Sequence, residues 1–210
     1  MADKGVLFIV SGFAGAGKGT VTKQVVKEDE NIKLSISATT RDMCKGETEG
    51  VDYFYITKEE FEQKIKNREL LEYAKYGDNY YGTPRDYVKK MLEEGKDVLL
   101  EIEVLGAAKI KASLPKTVRI FVTPPSAKEL KNRLVSRGRD SAEDIEKRLN
   151  RAVDEAEDID DYDYLLINDS IEQCVKDLHS IIEAERMKVK RQLPFISRIK
   201  KELAELNEEE

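Results

Sequence analysis

The chain predicts an α/β fold built on a parallel sheet flanked by helices, and three observations carry that expectation. Residues 6–10 form a short unbroken apolar run, and 98–102 and 118–122 are two more largely apolar stretches, the composition of strands buried on both faces. Amphipathic segments of helical length lie between them, the alternation from which parallel sheets are wound. The first run ends in a glycine-rich turn that opens directly into a helix.

Each element follows in order. After the strand at 6–10, residues 20–28 read as a helix with Val21 and Val25 four apart on one face. Residues 34–37 and 53–56 read as short strands around a loop rich in Gly, Asp and Glu. Thr57 and Glu60 have capping-box spacing, and Phe61 and Ile65 continue a helical stripe. Pro84 opens a helix in the first turn, where its missing N–H costs nothing, and Gly95 closes it. The strand at 98–102 is followed by helix 105–112 and the strand at 118–122. Ser126 with Glu129, and Ser141 with Asp144, mark two more helix starts. A late strand at 164–167 precedes a long helix begun by Ser170 and Gln173, with the stripe Ile171, Val175, Leu178 and Ile182. Pro194 interrupts the C-terminal helix. The stretch from 34 to 83 breaks the alternation and reads as an insertion into a core made of 1–33 and 84–190, and 191–210 is a charged helical tail.

Composition narrows the classes. The 210 residues are 40% apolar and 37% charged, enough for a core under a heavily solvated surface. With 36 basic against 42 acidic side chains the formal charge is -6, which argues against nonspecific nucleic-acid binding through a broad basic face. No apolar run approaches the ~20 residues that span a bilayer, so no membrane partner is expected. Residues 1–5 lead straight into the first strand, leaving no room for a signal peptide. Cys44 and Cys174 form neither a disulfide framework nor a zinc pattern. Together these point to a cytoplasmic protein and leave a homo-oligomer open.

The strongest single motif is Gly12-Phe13-Ala14-Gly15-Ala16-Gly17-Lys18-Gly19-Thr20, a G-x-x-x-x-G-K phosphate loop between strand and helix. Glycines let successive backbone N–H groups curl around a phosphate, the helix N-terminus adds positive potential, and Lys18 supplies a mobile charge. Gly19 stands where many such loops carry the Ser or Thr that binds magnesium, so Mg2+ is expected on nucleotide phosphates and water. The Lys-Gly-Thr ending looks like the loop of adenylate kinases. Glu101 and Glu103 alternate on a strand and share a face, from which either would orient metal-bound water; no direct protein ligand to the metal is expected.

Further motifs narrow the substrate. Ser37-Ala38-Thr39-Thr40-Arg41 is followed by Gly46-Glu47, Asp52-Tyr53-Phe54, Glu72-Tyr73-Ala74 and Asn79-Tyr80-Tyr81-Gly82-Thr83. Then come Leu100-Glu101-Ile102-Glu103, Pro124-Pro125-Ser126, Arg133-Leu134, Arg137-Gly138, Lys147-Arg148, Tyr162-Asp163-Tyr164 and Ile167-Asn168-Asp169. In order and spacing this set resembles the guanylate kinase family over nearly the whole chain. The resemblance implies transfer of the ATP γ-phosphoryl group to GMP by a phosphate-loop core, a GMP-binding lobe at 34–83 and a helical lid at about 126–158. It implies that Ser37, Glu72 and Thr83 read the guanine, with Glu103 also on the GMP side. Arg41, Tyr53 and Tyr81 would hold the GMP phosphate. Arg133, Arg137 and Arg148 would gather around the transferring phosphate with Lys18 and Arg41, and Asn168 would lie near the adenine.

The chemistry agrees. Guanine presents two adjacent N–H donors on one edge, which a single carboxylate such as Glu72 accepts together. Phosphoryl transfer needs positive charge that positions and neutralises, and guanidinium donors match phosphate oxygens. The family pattern has a second arginine three residues after Arg41, where this chain has Cys44, and Lys45 is expected to compensate. A guanylate-kinase-like protein-binding module would keep the fold but lose the working phosphate loop. A kinase for another nucleoside monophosphate would have no reason to keep Glu72 and the Ser37 segment.

Overall fold

The computed structural model describes residues 4–138 and 141–208. Its strands are β1 (Leu7–Gly12), β2 (Ile32–Ser35), β3 (Ala38–Thr39), β4 (Phe54–Tyr55), β5 (Leu70–Tyr76), β6 (Asn79–Pro84), β7 (Asp97–Glu101), β8 (Val118–Thr123) and β9 (Tyr164–Ile167). Its helices are α1 (Lys18–Glu28), α2 (Lys58–Lys66), α3 (Arg85–Glu93), α4 (Val104–Ser113), α5 (Ala127–Ser136), α6 (Ala142–Ala156), α7 (Ile171–Met187) and α8 (Leu193–Glu208).

Among the described residues β2, β7, β1, β8 and β9 pair in that order, every pairing parallel. β1 lies in the middle and is buried along its length, so its two faces meet different layers. Phe8 and Val10 pack with Val21 and Val25 of α1 and Cys174, Leu178 and Ile182 of α7. Leu7 and Ile9 pack with Val88 of α3 and Ala107 and Ile110 of α4. Helices on both faces explain why β1 and the central stretches of β7 and β8 read as apolar without strict alternation.

Local chemistry sets the helix starts. Reciprocal capping boxes join Thr57 to Glu60 and Ser141 to Asp144, and Ser126 and Ser170 accept from the backbone N–H three residues on. Pro194 begins a helix rather than breaking one. The chain leaves α7 at Lys188, makes a 3-10 turn at Val189–Arg191, and starts α8 with Pro194 in its first turn. A first-turn proline forfeits no helical hydrogen bond.

The insertion carries more strand than its sequence predicts. β4, β3, β6 and β5 form a second sheet, with β5 and β6 joined by a tight turn at Gly77 and Asp78. Only Gly77 has positive φ there, at 59°, which suits a turn with glycine first. Ala38, Phe61 and Leu70 give this sheet its own small core. Both α5 and α6 pack on Phe13 of the glycine-rich loop through Leu130, Leu134, Ala152 and Leu149. No helix among the described residues is long and apolar enough to cross a membrane.

Candidate active site

The loop after β1 closes on α1 through Gly17, whose φ of 89° is left-handed. Lys18 folds back so that Nζ donates to the carbonyls of Gly12 at 2.6 Å and Phe13 at 3.1 Å. Beneath the loop, Asn168 donates from Nδ2 to the Ala16 carbonyl at 2.7 Å, and a Cβ on Gly17 would come within 2.4 Å of that amide. Asn168, the residue the resemblance sets near the adenine, is 2% exposed and supports the loop from below, its own N–H held by the Thr123 carbonyl at 2.8 Å, at the end of β8.

Gly19 has a physical explanation. A Cβ there would lie 3.3 Å from the carboxylate of Glu101, which ends β7 beside β1 and takes a 3.3 Å hydrogen bond from Thr22 Oγ1. Burial pushes the Glu101 carboxyl above its ordinary pKa, while the Lys18 charge and the Thr22 hydroxyl oppose it. Thr20 is exposed. Glu101 and Glu103 do not alternate along one strand: β7 stops at Glu101, and Glu103 becomes the residue that starts α4, with its charge still adding to the rise in the Glu101 pKa. Glu101 therefore faces the loop and Glu103 faces α6.

In the inserted sheet, Arg41 is clamped. Its Nη2 donates to both oxygens of Glu47 at 2.8 and 2.9 Å, and its Nη1 donates to the Asp42 carbonyl at 2.6 Å and contacts Cys44 Sγ at 2.8 Å. The guanidinium lies over the rings of Tyr53 and Tyr55, 5.5 and 5.7 Å from their centroids. Tyr53 meets Tyr81 edge to face at 5.8 Å. Burial, helped by the charge on Glu101, pushes the Tyr53 hydroxyl up to about 12. Burial also disfavours the charged form of Glu47, but the Cys44 N–H, the Tyr55 hydroxyl and Arg41 outweigh it and hold that carboxyl below its usual range. Lys45 is exposed. Lys23 of α1 reaches the same lobe, pairing with Asp52 at 2.6 Å.

Glu72 on β5 is 7% exposed and accepts from Thr83 Oγ1 at 2.9 Å. Burial pushes its carboxyl above 4.5, with Thr83 and the charge of Lys109 opposing. A Cβ on Gly106 would lie 2.8 Å from Glu72 Oε2, so only glycine lets the first turn of α4 approach this carboxylate. Glu72 thus lies against the first turn of the helix that Glu103 begins. Ser37, half-buried, precedes β3, and its carbonyl accepts from Phe54 N–H at 2.9 Å.

α5 and α6 carry the expected arginines. Arg133 is drawn along its own helix to Glu129 at 2.7 Å, Arg137 is exposed at the end of α5, and Arg148 is half-buried on α6. Sequence reading assigned no role to Tyr55, Glu47, Arg151 or Glu155. Tyr55 was findable, because residues two apart on a strand share a face and Tyr53 was already in view. Arg151 and Glu155 have the four-residue spacing of a helical ion pair, but the reach of Arg151 to Glu103 carried no local signal.

The comparisons with known proteins fit this geometry. Residues 4–185 match the family model described as guanylate kinase. A guanylate kinase of Oceanobacillus iheyensis is 54% identical over 189 residues, 90% of this chain and 92% of that protein. One of Clostridioides difficile is 51% identical over 188 residues, 90% of this chain and 92% of that protein. A crystal structure of guanylate kinase from Anaplasma phagocytophilum superposes with a TM-score of 0.76 at 34% identity, covering 90% of each chain. With a phosphate loop, a buried carboxylate and an arginine–tyrosine cluster on one parallel-sheet scaffold, this chain belongs to the guanylate kinase family and transfers a phosphoryl group from ATP to GMP.

Proposed function

We propose the following division of labour in that reaction. Residues 12–20 cradle the ATP phosphates, with Lys18 leaving its loop carbonyls to meet the transferring group. The lobe at 34–83 binds GMP: Glu72 accepts the two adjacent guanine donors, Thr83 and Ser37 complete that corner, and Arg41, Tyr53 and Tyr81 take the phosphate. Residues 126–158 are the lid, bringing Arg133, Arg137 and Arg148 to the developing charge. The GMP phosphate oxygen forms the new bond to the γ-phosphorus as the bond to the β–γ bridging oxygen breaks. GDP and ADP result, and no protein nucleophile is needed.

The donor set suits magnesium. Oxygen donors are what that ion prefers, and Glu101 lies where a loop hydroxyl would otherwise project, placed to hold it through water. When bound, Mg2+ neutralises phosphate charge. Both substrates are small nucleotides, the proposed setting is the cytoplasm, and the net charge of -6 supports no nucleic-acid partner.

The buried Glu72 carries the choice of GMP, because a carboxylate held by one hydroxyl at 2.9 Å retains acceptor capacity for guanine donors. A coupled ADP-release assay with ATP and each of the four common monophosphates tests it. GMP is expected to be strongly preferred, and comparable turnover of AMP, CMP or UMP overturns the assignment.

A further inference from the structure

Helix α6 carries a charge bridge outside the expected arginine set. Arg151 Nε donates to Glu155 Oε1 at 2.8 Å one turn along the helix, and Nη2 donates to Glu103 Oε2 at 2.8 Å on the core. Glu155 is buried, and burial followed by the negative charge of Glu103 pushes its carboxyl pKa up. Two carboxylates on facing elements repel, so α6 can approach the start of α4 only with a cation between them. Arg151 supplies it. Glu103, at the other end of the bridge, begins the same helical turn whose Gly106 lies against the Glu72 carboxylate.

We propose that Arg151 is a positioning residue that ties the lid to the GMP subsite, so that lid closure and GMP occupancy reinforce each other. This rests on the reading of the Glu72–Glu103 corner as the guanine subsite. The guanidinium takes Oε2 of Glu103, and among the described residues no hydrogen bond reaches Oε1. A guanine donor at Oε1 would hold the carboxylate in the orientation that Arg151 needs. By linkage, the lid so held retains GMP more tightly. Without the guanidinium, Glu103 and Glu155 would push α6 off the core.

The test uses the full chain as wild type, Arg151→Ala, Arg151→Lys, Glu103→Gln and the double variant Arg151→Ala/Glu103→Gln. Arg151→Ala should raise the GMP Michaelis constant roughly three- to fivefold, the range for a half-exposed charge pair. Arg151→Lys should recover part of the loss, and the double variant should be no worse than the weaker single one. Amide hydrogen exchange supplies a readout that activity does not: saturating GMP should slow exchange in α6 of the wild type but not of Arg151→Ala. Arg151→Gln, which keeps the side-chain stem over Glu155, is run in parallel and decides the question if the alanine variant does not fold. An unchanged GMP Michaelis constant, or equal slowing of α6 exchange in wild type and variant, overturns the proposal. Failure of the underlying subsite reading looks different: Glu72→Gln would leave GMP kinetics unaltered whatever the Arg151 variants do.

Discussion

Thr83 Oγ1 donates to Glu72 Oε1 over 2.9 Å, and the other oxygen of that carboxylate lies against the backbone of Gly106. One hydroxyl only partly satisfies a buried carboxylate, and burial shifts its pKa upward. The charge is therefore costly in the empty site and repaid by a ligand that brings two donors.

The pH dependence follows with a definite sign. In the free protein, Glu72 binds its proton more tightly than in the unfolded chain. Its contribution to stability therefore declines as pH rises from about 4.5 through the raised value. GMP needs the ionised form, so the GMP Michaelis constant should rise as pH falls through that same window above 4.5. Glu72→Gln should raise the constant at neutral pH and flatten the profile, the GMP phosphate's own titration being common to both proteins. Parallel profiles in the two proteins would remove Glu72 from base recognition.

Among the described residues Lys18 hydrogen-bonds only to two loop carbonyls, so its loss should spare the fold. Lys18→Ala is expected to lower turnover by roughly 10²–10³, the range for removing a preorganised charge from phosphoryl transfer or an oxyanion site. Steady-state kinetics beside a thermal melt check both halves. Near-wild-type turnover in a folded variant contradicts the assignment.

Cys44 touches Arg41 at 2.8 Å but brings no positive charge to it. Cys44→Arg should lower the GMP Michaelis constant by adding a second guanidinium beside the first, and Lys45→Ala should raise it. If Lys45→Ala changes nothing, the exposed lysine does not compensate; if Cys44→Arg also changes nothing, the thiol costs no binding.

Gly17→Ala combines a left-handed φ of 89° with a Cβ only 2.4 Å from the amide of Asn168. Strain of this kind costs about 1–3 kcal/mol, and the displaced Asn168 would also release the Ala16 carbonyl. The ATP Michaelis constant and the urea midpoint should both worsen. Asn168→Ala should reproduce part of the effect, which a residue acting only on the adenine would not do to the midpoint.

Asp97 gives a stability test away from the site. Its side chain is 3% exposed, accepts from Val6 N–H at 2.7 Å, and pairs with Arg186 Nε at 2.6 Å, linking the sheet to α7. Asp97→Ala leaves a buried N–H unpaired, while the 36% exposed Arg186 can rehydrate, so a loss of about 2–3 kcal/mol is expected. Urea denaturation measures it, and a shift below about 0.5 kcal/mol, the usual size of surface substitutions, contradicts the role given to Asp97.

By itself the sequence determined what contiguous residues can encode. The phosphate loop, the capping boxes and the apolar runs of the central sheet act over a few neighbouring residues, where composition and spacing dictate backbone geometry. The order of the dispersed motifs added the family and its substrates. Tertiary packing alone decided the rest. β5 and β6 were illegible because a thin two-sided sheet with its own small core has no long apolar run. Pro194 read as an interruption of the C-terminal helix, and only the turn after Lys188 makes it the start of a new one. The seating of Asn168 under a loop 152 residues earlier, and the bridge from Arg151 to Glu103 across 48 residues, depend on how layers meet. Such contacts leave no periodic trace, because the two ends of each are brought together by the whole core rather than by local backbone preference.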